Sequence, residues 1–247
     1  MRVLDLFSGI GGFSLAANWA GFETIAFVEQ DNYCQKLLRK NFGPNIKIHG
    51  DIREFTGFPG SADIVCGGPP CQPFSKAGKK RGKNDNRHLW PEMFRVIREV
   101  QPFAAVVENV FGFIKMALDE VINDLEGEGY SCQAFVIPAY AVGAFHNRDR
   151  VWIIAIKGNA HDTNANGIRS YRKEEHKQRE TKFQHEQIRL PGPLVSPSVR
   201  DGTNPRIFRD SNGLSNRVDR IRGLGNAIVP QIALQIFQFI KQVDLRF

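Results

Sequence analysis

Val3-Leu4-Asp5-Leu6-Phe7-Ser8-Gly9-Ile10-Gly11-Gly12-Phe13 stands near the start of the chain. A short apolar run passes directly into a glycine-rich turn and then into a helix-like stretch, Gly12–Ala20. Continuous apolar runs of this length are expected for strands covered on both faces. Glycines in the turn let the backbone bend sharply and approach a ligand closely. The helix start beyond them offers N–H groups that lack intrahelical partners.

Reading outward from that turn, the same alternation repeats. Thr24–Val28, Ile46–Ile48, Ala62–Cys66, Phe103–Val107, Cys132–Ile137 and Val151–Ile156 read as further strands. Asn32–Asn41, Leu89–Val100, Ile114–Glu126 and Ile228–Val243 read as helices. The alternation predicts an α/β fold, a mostly parallel sheet flanked by helices. It stops near residue 158. Residues 159–213 are polar, rich in Gly, Asn, Ser and Pro, and lack a sustained apolar face. The expected division is one catalytic and ligand-binding domain over 1–158 and 223–247, with a small module over 159–222.

The chain has 247 residues, 42% of them apolar and 24% charged, an ordinary balance for a soluble globular protein. No run approaches the roughly 18 apolar residues of a membrane span. An acid at Asp5 interrupts any signal-peptide pattern. The expectation is a cytoplasmic protein without a membrane partner. The four cysteines, Cys34, Cys66, Cys71 and Cys132, form no Cys-x-x-Cys pair, and no histidine cluster accompanies them. No metal site is expected, and the thiols should stay reduced. The net charge is +7, which suits a polyanionic partner. Residues 159–223 hold 13 Lys/Arg against 8 Asp/Glu, a balance of +5. Lys76, Lys79, Lys80, Arg81, Lys83 and Arg87 form a second basic cluster opposed only by Asp85.

Several strand ends carry chemistry. Glu29 ends the second strand, where doubly wound folds place an acid for ribose hydroxyls. Asp51 follows the third, in Gly50-Asp51-Ile52, where it can accept a bond from an adenine amino group. The fourth leads into Gly67-Gly68-Pro69-Pro70-Cys71-Gln72-Pro73-Phe74-Ser75. Two glycines and two prolines make a stiff turn that holds Cys71 outside the sheet's carboxyl edge. A thiolate there can act as a nucleophile. Cys66, at the end of an apolar run, reads instead as a core residue. Glu108-Asn109-Val110 directly follows the fifth strand. Its carboxylic acid can hold the ring-nitrogen and amino edge of a base. Arg148-Asp149-Arg150 leads into the last strand, and its guanidinium forks suit phosphate or a carbonyl oxygen.

Together these pieces resemble the carbon-5 cytosine DNA methyltransferase family, particularly its compact bacterial and phage members. Gly67–Ser75 carries the family's Pro-Pro-Cys-Gln signature, Glu108-Asn109-Val110 follows in order, and Gly225-Asn226-Ala227-Ile228-Val229-Pro230 is similar to its final motif. The resemblance implies a Rossmann-like S-adenosylmethionine-dependent methyltransferase fold, with 159–222 as a small target-recognition module. It implies a cofactor pocket of Phe7, Ser8, Gly9, Gly11, Gly12, Glu29, Gln30, Asp51, Ile52, Pro69, Leu89, Asn226 and Ala227. It makes Cys71 the nucleophile at carbon-6, with Glu108 on the ring nitrogen and amino group. Arg150 would meet the base oxygen, and Arg148 would help position Glu108 or the base. Gln72, Ser75, Lys76, Lys79, Lys80, Arg81 and Lys83 would meet DNA, in a loop that Gly78 and Gly82 permit to close. The implied partner is double-stranded DNA, met by a monomer. A cognate restriction endonuclease would be encoded elsewhere. His146 stands where the family commonly has glutamine, and the recognition segment is short. Two alternatives stay open. One is an RNA cytosine methyltransferase, although such relatives usually carry a Cys-Phe-Thr segment in the second half, and no cysteine follows Cys132. The other is a catalytically silent DNA-binding module.

Overall fold

The computed structural model describes residues 1–70, 88–144, 148–158, 223 and 225–244. The apolar runs become strands β1 (Arg2–Leu6), β2 (Glu23–Val28), β3 (Lys47–His49), β4 (Ile64–Gly67), β5 (Ala104–Val110), β6 (Tyr130–Pro138) and β7 (Asp149–Lys157). The amphipathic stretches become helices α1 (Gly12–Trp19), α2 (Asn32–Phe42), α3 (Trp90–Val100), α4 (Phe113–Gly127) and α5 (Pro230–Asp244). One seven-stranded sheet runs in the order β3-β2-β1-β4-β5-β7-β6. The pairs β1–β2, β1–β4, β2–β3 and β4–β5 are parallel. Strand β7 is antiparallel to both neighbours. The predicted, mostly parallel α/β sheet is therefore what forms, with β7 reversed between β5 and β6. The connection from β6 is too short for the crossover of about a dozen residues that a parallel pair needs.

The strand order changes direction at β1 and β4, which opens a crevice at the carboxyl edge between them. Alternation along each strand divides the core in two. Leu4, Leu6, Val65, Ala105, Val107 and Ile153 face α3 and α4. Val3, Ile64, Cys66, Val106, Trp152 and Ile154 face α1 and α5. Helix α2 lies on this second side, where Phe42 meets Phe27 with ring centroids 5.1 Å apart. Trp90 Nε1 donates to Asp124 Oδ2 at 2.7 Å and ties α3 to α4. Among the described residues, no helix is long and apolar enough to cross a membrane.

Candidate active site

Phe7, Gly9 and Gly11 all take positive φ, at 53°, 54° and 87°. This left-handed path turns the chain off β1 and into α1, and it favours glycine. Gly9 N donates to Glu29 Oε2 and Asp31 N to Glu29 Oε1, both at 2.7 Å. The carboxylate beyond β2 is thereby fixed by two backbone amides. Gly12 is required by close approach, since a Cβ there would stand 2.6 Å from Ile228 Cγ1. Gly11 has a different task. Its Cβ would meet Phe42 at 2.4 Å, so its bare backbone lets α2 pack, and it does not line the cleft described below.

Asp5 lies beneath the turn, fully buried in β1. Ser14 Oγ donates to Asp5 Oδ2 at 2.6 Å, while Oδ1 has no hydrogen-bond partner among the described residues. Burial pushes this carboxyl up to about 7. Beyond β3, Asp51 Oδ1 accepts from Arg53 N at 3.0 Å. Arg95 of α3 reaches across to the carbonyl of Ile52 at 2.7 Å, and Glu99 Oε2 accepts from Gly57 N at 2.8 Å. Helix α3 thus holds the loop that carries Asp51 and Ile52.

Glu108 and Asn109 lie inside β5, because β7 pairs with it as far as Val110 opposite Arg150. The sequence reading ended that strand at Val107. Glu108 and Arg150 project to the same face, and Arg150 Nε meets Glu108 Oε1 at 2.9 Å. Glu108 is only 8% exposed. Its burial pushes the carboxyl up to about 7, against the opposing pull of Arg150 and Arg148. Asn109 faces the other way, and its Nδ2 donates to the carbonyl of Pro69 at 2.9 Å. Gly67 and Gly68 permit this convergence. A Cβ on Gly67 would meet the Leu6 carbonyl oxygen at 2.6 Å, and one on Gly68 would meet Glu108 Oε2 at 3.1 Å. Arg148 acts on the Glu108 carboxyl through its charge and also serves a second element. Its Nη2 donates to the carbonyls of Gly225 and Ala227, both at 2.8 Å, and so holds the segment that leads into α5.

These parts enclose a cleft of about 790 Å³ at the carboxyl edge. Phe7, Ser8, Gly9, Gly12, Glu29, Gln30, Asp51, Ile52, Pro69, Leu89, Asn226 and Ala227 line it, together with Glu108 and Arg150. Arg148 stands behind the wall. Cys71 and the candidate DNA-contacting residues Gln72, Ser75, Lys76, Lys79, Lys80, Arg81 and Lys83 lie outside the described residues, as does the whole of 159–222. Pro69 and Pro70, just before Cys71, are part of the cleft wall. The sequence reading missed Asn109 as a site residue and Asp5 as a buried support beneath the turn. Asp5 left one signal, an acid inside an apolar strand. The task of Asn109 left none, since Pro69 is far from it in sequence. Cys66 is fully buried and its thiol is pushed well up by burial, as befits a core residue.

Comparison with known proteins agrees with this architecture. The family model for C-5 cytosine-specific DNA methylases matches residues 1–204. The Type II methyltransferase M.HgiCII of Herpetosiphon aurantiacus is 37% identical over 163 residues, covering 63% of this chain and 37% of that protein. M.HhaI of Haemophilus parahaemolyticus is 36% identical over 166 residues, 64% of this chain and 50% of that one. The chain thus spans half or less of the length of these relatives. Among solved structures, a putative DNA modification methyltransferase encoded within an Escherichia coli prophage is 30% identical, with a TM-score of 0.52 over 64% of this chain and 47% of that one. A Spodoptera frugiperda DNMT2 variant is 26% identical, with a TM-score of 0.54 over 65% of this chain and 51% of that one. With its sheet order, its glycine turn and its Glu108–Arg150 pair in one cleft, this chain belongs to the C-5 cytosine-specific DNA methylase family.

Proposed function

We propose that the protein is a DNA (cytosine-5)-methyltransferase that uses S-adenosylmethionine and a covalent Cys71 adduct. The observation that carries this reading is the pairing of buried Glu108 with Arg150, 2.9 Å apart, on the wall of a cleft that the glycine turn and Glu29 also line. The cleft fits the cofactor. Its volume of about 790 Å³ lies within the range of small-molecule sites, roughly 300–1,000 Å³. Gly9 and Gly50 line it with open space where a Cβ would stand. Glu29, held by two backbone amides, still has lone pairs for hydroxyl donors. Asp51 and the backbone around Ile52 offer polar partners for an adenine. Bound there, the sulfonium cofactor supplies an electrophilic methyl group.

The chain's own residues do the remainder. Carbon-5 of cytosine is a poor nucleophile until a thiolate adds at carbon-6. Cys71 Sγ forms that bond, and the ring electrons move toward the edge held by Glu108. In its neutral form, Glu108 donates its proton to the ring nitrogen and neutralises charge that develops there. Arg150 orients Glu108 and presents guanidinium N–H groups to the base oxygen. Asn109 holds the Pro69 carbonyl, and with it the turn that presents Cys71. Carbon-5 then takes the methyl group. Loss of the carbon-5 proton to a solvent base, cleavage of the carbon-6–sulfur bond and return of the ring-nitrogen proton to Glu108 restore the thiolate and the neutral acid. The ring atoms are shielded in stacked DNA, so the cytosine must be flipped out, at a cost of a few kcal/mol.

The test is transfer of a radiolabelled methyl group from S-adenosylmethionine to unmethylated plasmid DNA, with a bulk transfer-RNA fraction in parallel. Label in DNA at carbon-5 of cytosine, abolished by Cys71→Ser, is expected. Label confined to RNA, or none with either nucleic acid, overturns the reading. Bisulfite sequencing of DNA from expressing cells then reveals the methylated motif.

A further inference from the structure

Residues 50–63, between β3 and β4, form neither helix nor strand, yet Gly50, Asp51 and Ile52 among them line the cleft. A segment without a ladder needs other partners for its backbone. Three backbone bonds tie this one to α3. Arg95 Nη2 donates to the carbonyl of Ile52 at 2.7 Å, Gly57 N to Glu99 Oε2 at 2.8 Å, and Gly60 N to the carbonyl of Val100 at 2.9 Å. The packing is close as well. A Cβ on Gly57 would stand 2.6 Å from Val100 Cγ2, so only a bare backbone fits against the helix there.

Arg95 is aimed from within its own helix. Glu92, Arg95 and Glu99 stand three and four residues apart, on one flank of α3. Arg95 Nε meets Glu92 Oε2 at 2.9 Å and Nη1 meets Glu99 Oε1 at 2.6 Å, which leaves Nη2 for Ile52. Against the effect of burial, the Gly57 amide and Arg95 hold the Glu99 carboxyl below its ordinary value, so the cluster stays ionised. Exposed and part-exposed ion pairs add little stability by themselves. Here the fork's third arm ends on the backbone of a buried residue that lines the cleft. Leu89, the residue before α3, lines the cleft too. One helix thus follows one part of the wall and braces another. Arg98, one turn on, gives the contrast. It is largely exposed and pairs with Glu128, just after α4, at 2.9 Å.

We propose that Arg95, aimed by Glu92 and Glu99, is a positioning residue for the nucleoside end of the cofactor and sets its selectivity for adenine. This inference rests on the S-adenosylmethionine reading and names residues that act behind that site. Asp51 Oδ1 accepts from Arg53 N at 3.0 Å, and the carboxyl keeps lone pairs for an adenine amino group. Ile52 is the next residue, so the bond on its carbonyl fixes where Asp51 stands. A site built to hydrogen-bond a ligand N–H rejects an analogue that lacks it, provided the acceptor is held in place. Hypoxanthine is such an analogue, since it carries an oxo group where adenine carries the amino group. Releasing the loop from Arg95 should therefore weaken the nucleoside contact and blunt the choice between the two bases.

Isothermal titration of the full chain with S-adenosylhomocysteine and with S-inosylhomocysteine tests the proposal. Wild type should favour the adenine compound by roughly tenfold or more. Arg95→Ala should weaken binding of that compound roughly tenfold, the effect of one lost hydrogen bond from a charged group, and reduce the preference several-fold. Arg95→Lys should fall between the two, because an ammonium does not reproduce the three-way fork. The KM for S-adenosylmethionine should rise alongside, with kcat near wild type. Arg98→Ala removes the same charge from the same helix and should match wild type in affinity and in preference. An unchanged preference in Arg95→Ala, whether or not its melting temperature falls, overturns the role of Arg95. An equal loss in Arg98→Ala, or a wild type that binds both compounds alike, overturns it as well. In each of these cases methyl transfer from S-adenosylmethionine to DNA by wild type leaves the methyltransferase reading intact. A wild type that binds neither compound overturns the cofactor reading and the role of Arg95 together.

Discussion

Glu108 must be neutral to donate a proton to a cytosine ring nitrogen, and its surroundings favour that form. Burial raises its carboxyl to about 7, so the neutral acid predominates below that pH and is lost above it. The kcat/KM for DNA should therefore fall as pH rises through about 7. Glu108→Gln should lower the rate by at least tenfold and abolish that falling limb, as steady-state profiles from pH 5.5 to 9 would show. Asn109 acts at one remove. Asn109→Ala frees the carbonyl of Pro69, so kcat for methyl transfer to DNA at saturating S-adenosylmethionine should drop by one to two orders of magnitude. Asp5 affects stability rather than chemistry. Its carboxyl is raised from 3.8 to about 7, so its favourable contribution is complete below the ordinary value and lost as pH rises through about 7. At about 1.4 kcal/mol per unit, the penalty at high pH approaches about 4 kcal/mol. Asp5→Asn keeps an acceptor for Ser14 and removes the charge. Its melting temperature relative to wild type should be several degrees more favourable at pH 8 than at pH 5.

At the scale of elements, the lead into α5 depends on Arg148. In sequence Arg148 and Arg150 read alike as forks beside a strand, with Arg148 expected to help position Glu108 or the base. Arg150 lies within β7, opposite Val110, and reaches Glu108, whereas Arg148 precedes the strand. Arg148, one step further out, meets the carbonyls of Gly225 and Ala227. Its fork spans two acceptors in a way that a lysine ammonium does not reproduce. Arg148→Lys should weaken S-adenosylmethionine binding several-fold by loosening Asn226 and Ala227, as measured by isothermal titration. Periodicity gave the strand and helix locations within a few residues. It missed the extension of β5 to Val110, because that extension exists only through pairing with β7.

At the largest scale, segments far apart in sequence pack together around α5. Phe237 of α5 is fully buried, and its ring centroid lies 6.3 Å from that of Phe13 and 5.8 Å from that of Phe22. Phe237→Ala should destabilise the fold by about 3–5 kcal/mol in chemical denaturation, the range for an emptied aromatic site. The amphipathic period of α5 was legible in sequence, but its partner helix was not.

The sequence by itself determined the order and period of the elements and the glycine turn after β1, and it offered Cys71 and Glu108 as candidates for the chemistry. These are local properties, encoded within a few neighbouring side chains. Tertiary structure decided that β7 runs backwards between β5 and β6, which brings Arg150 to Glu108 and sets Arg148 behind the cleft. It also decided that Asn109 holds Pro69. Those outcomes depend on strand order and on contacts between residues distant along the chain. Burial of the whole sheet selects them, and no local pattern records that selection.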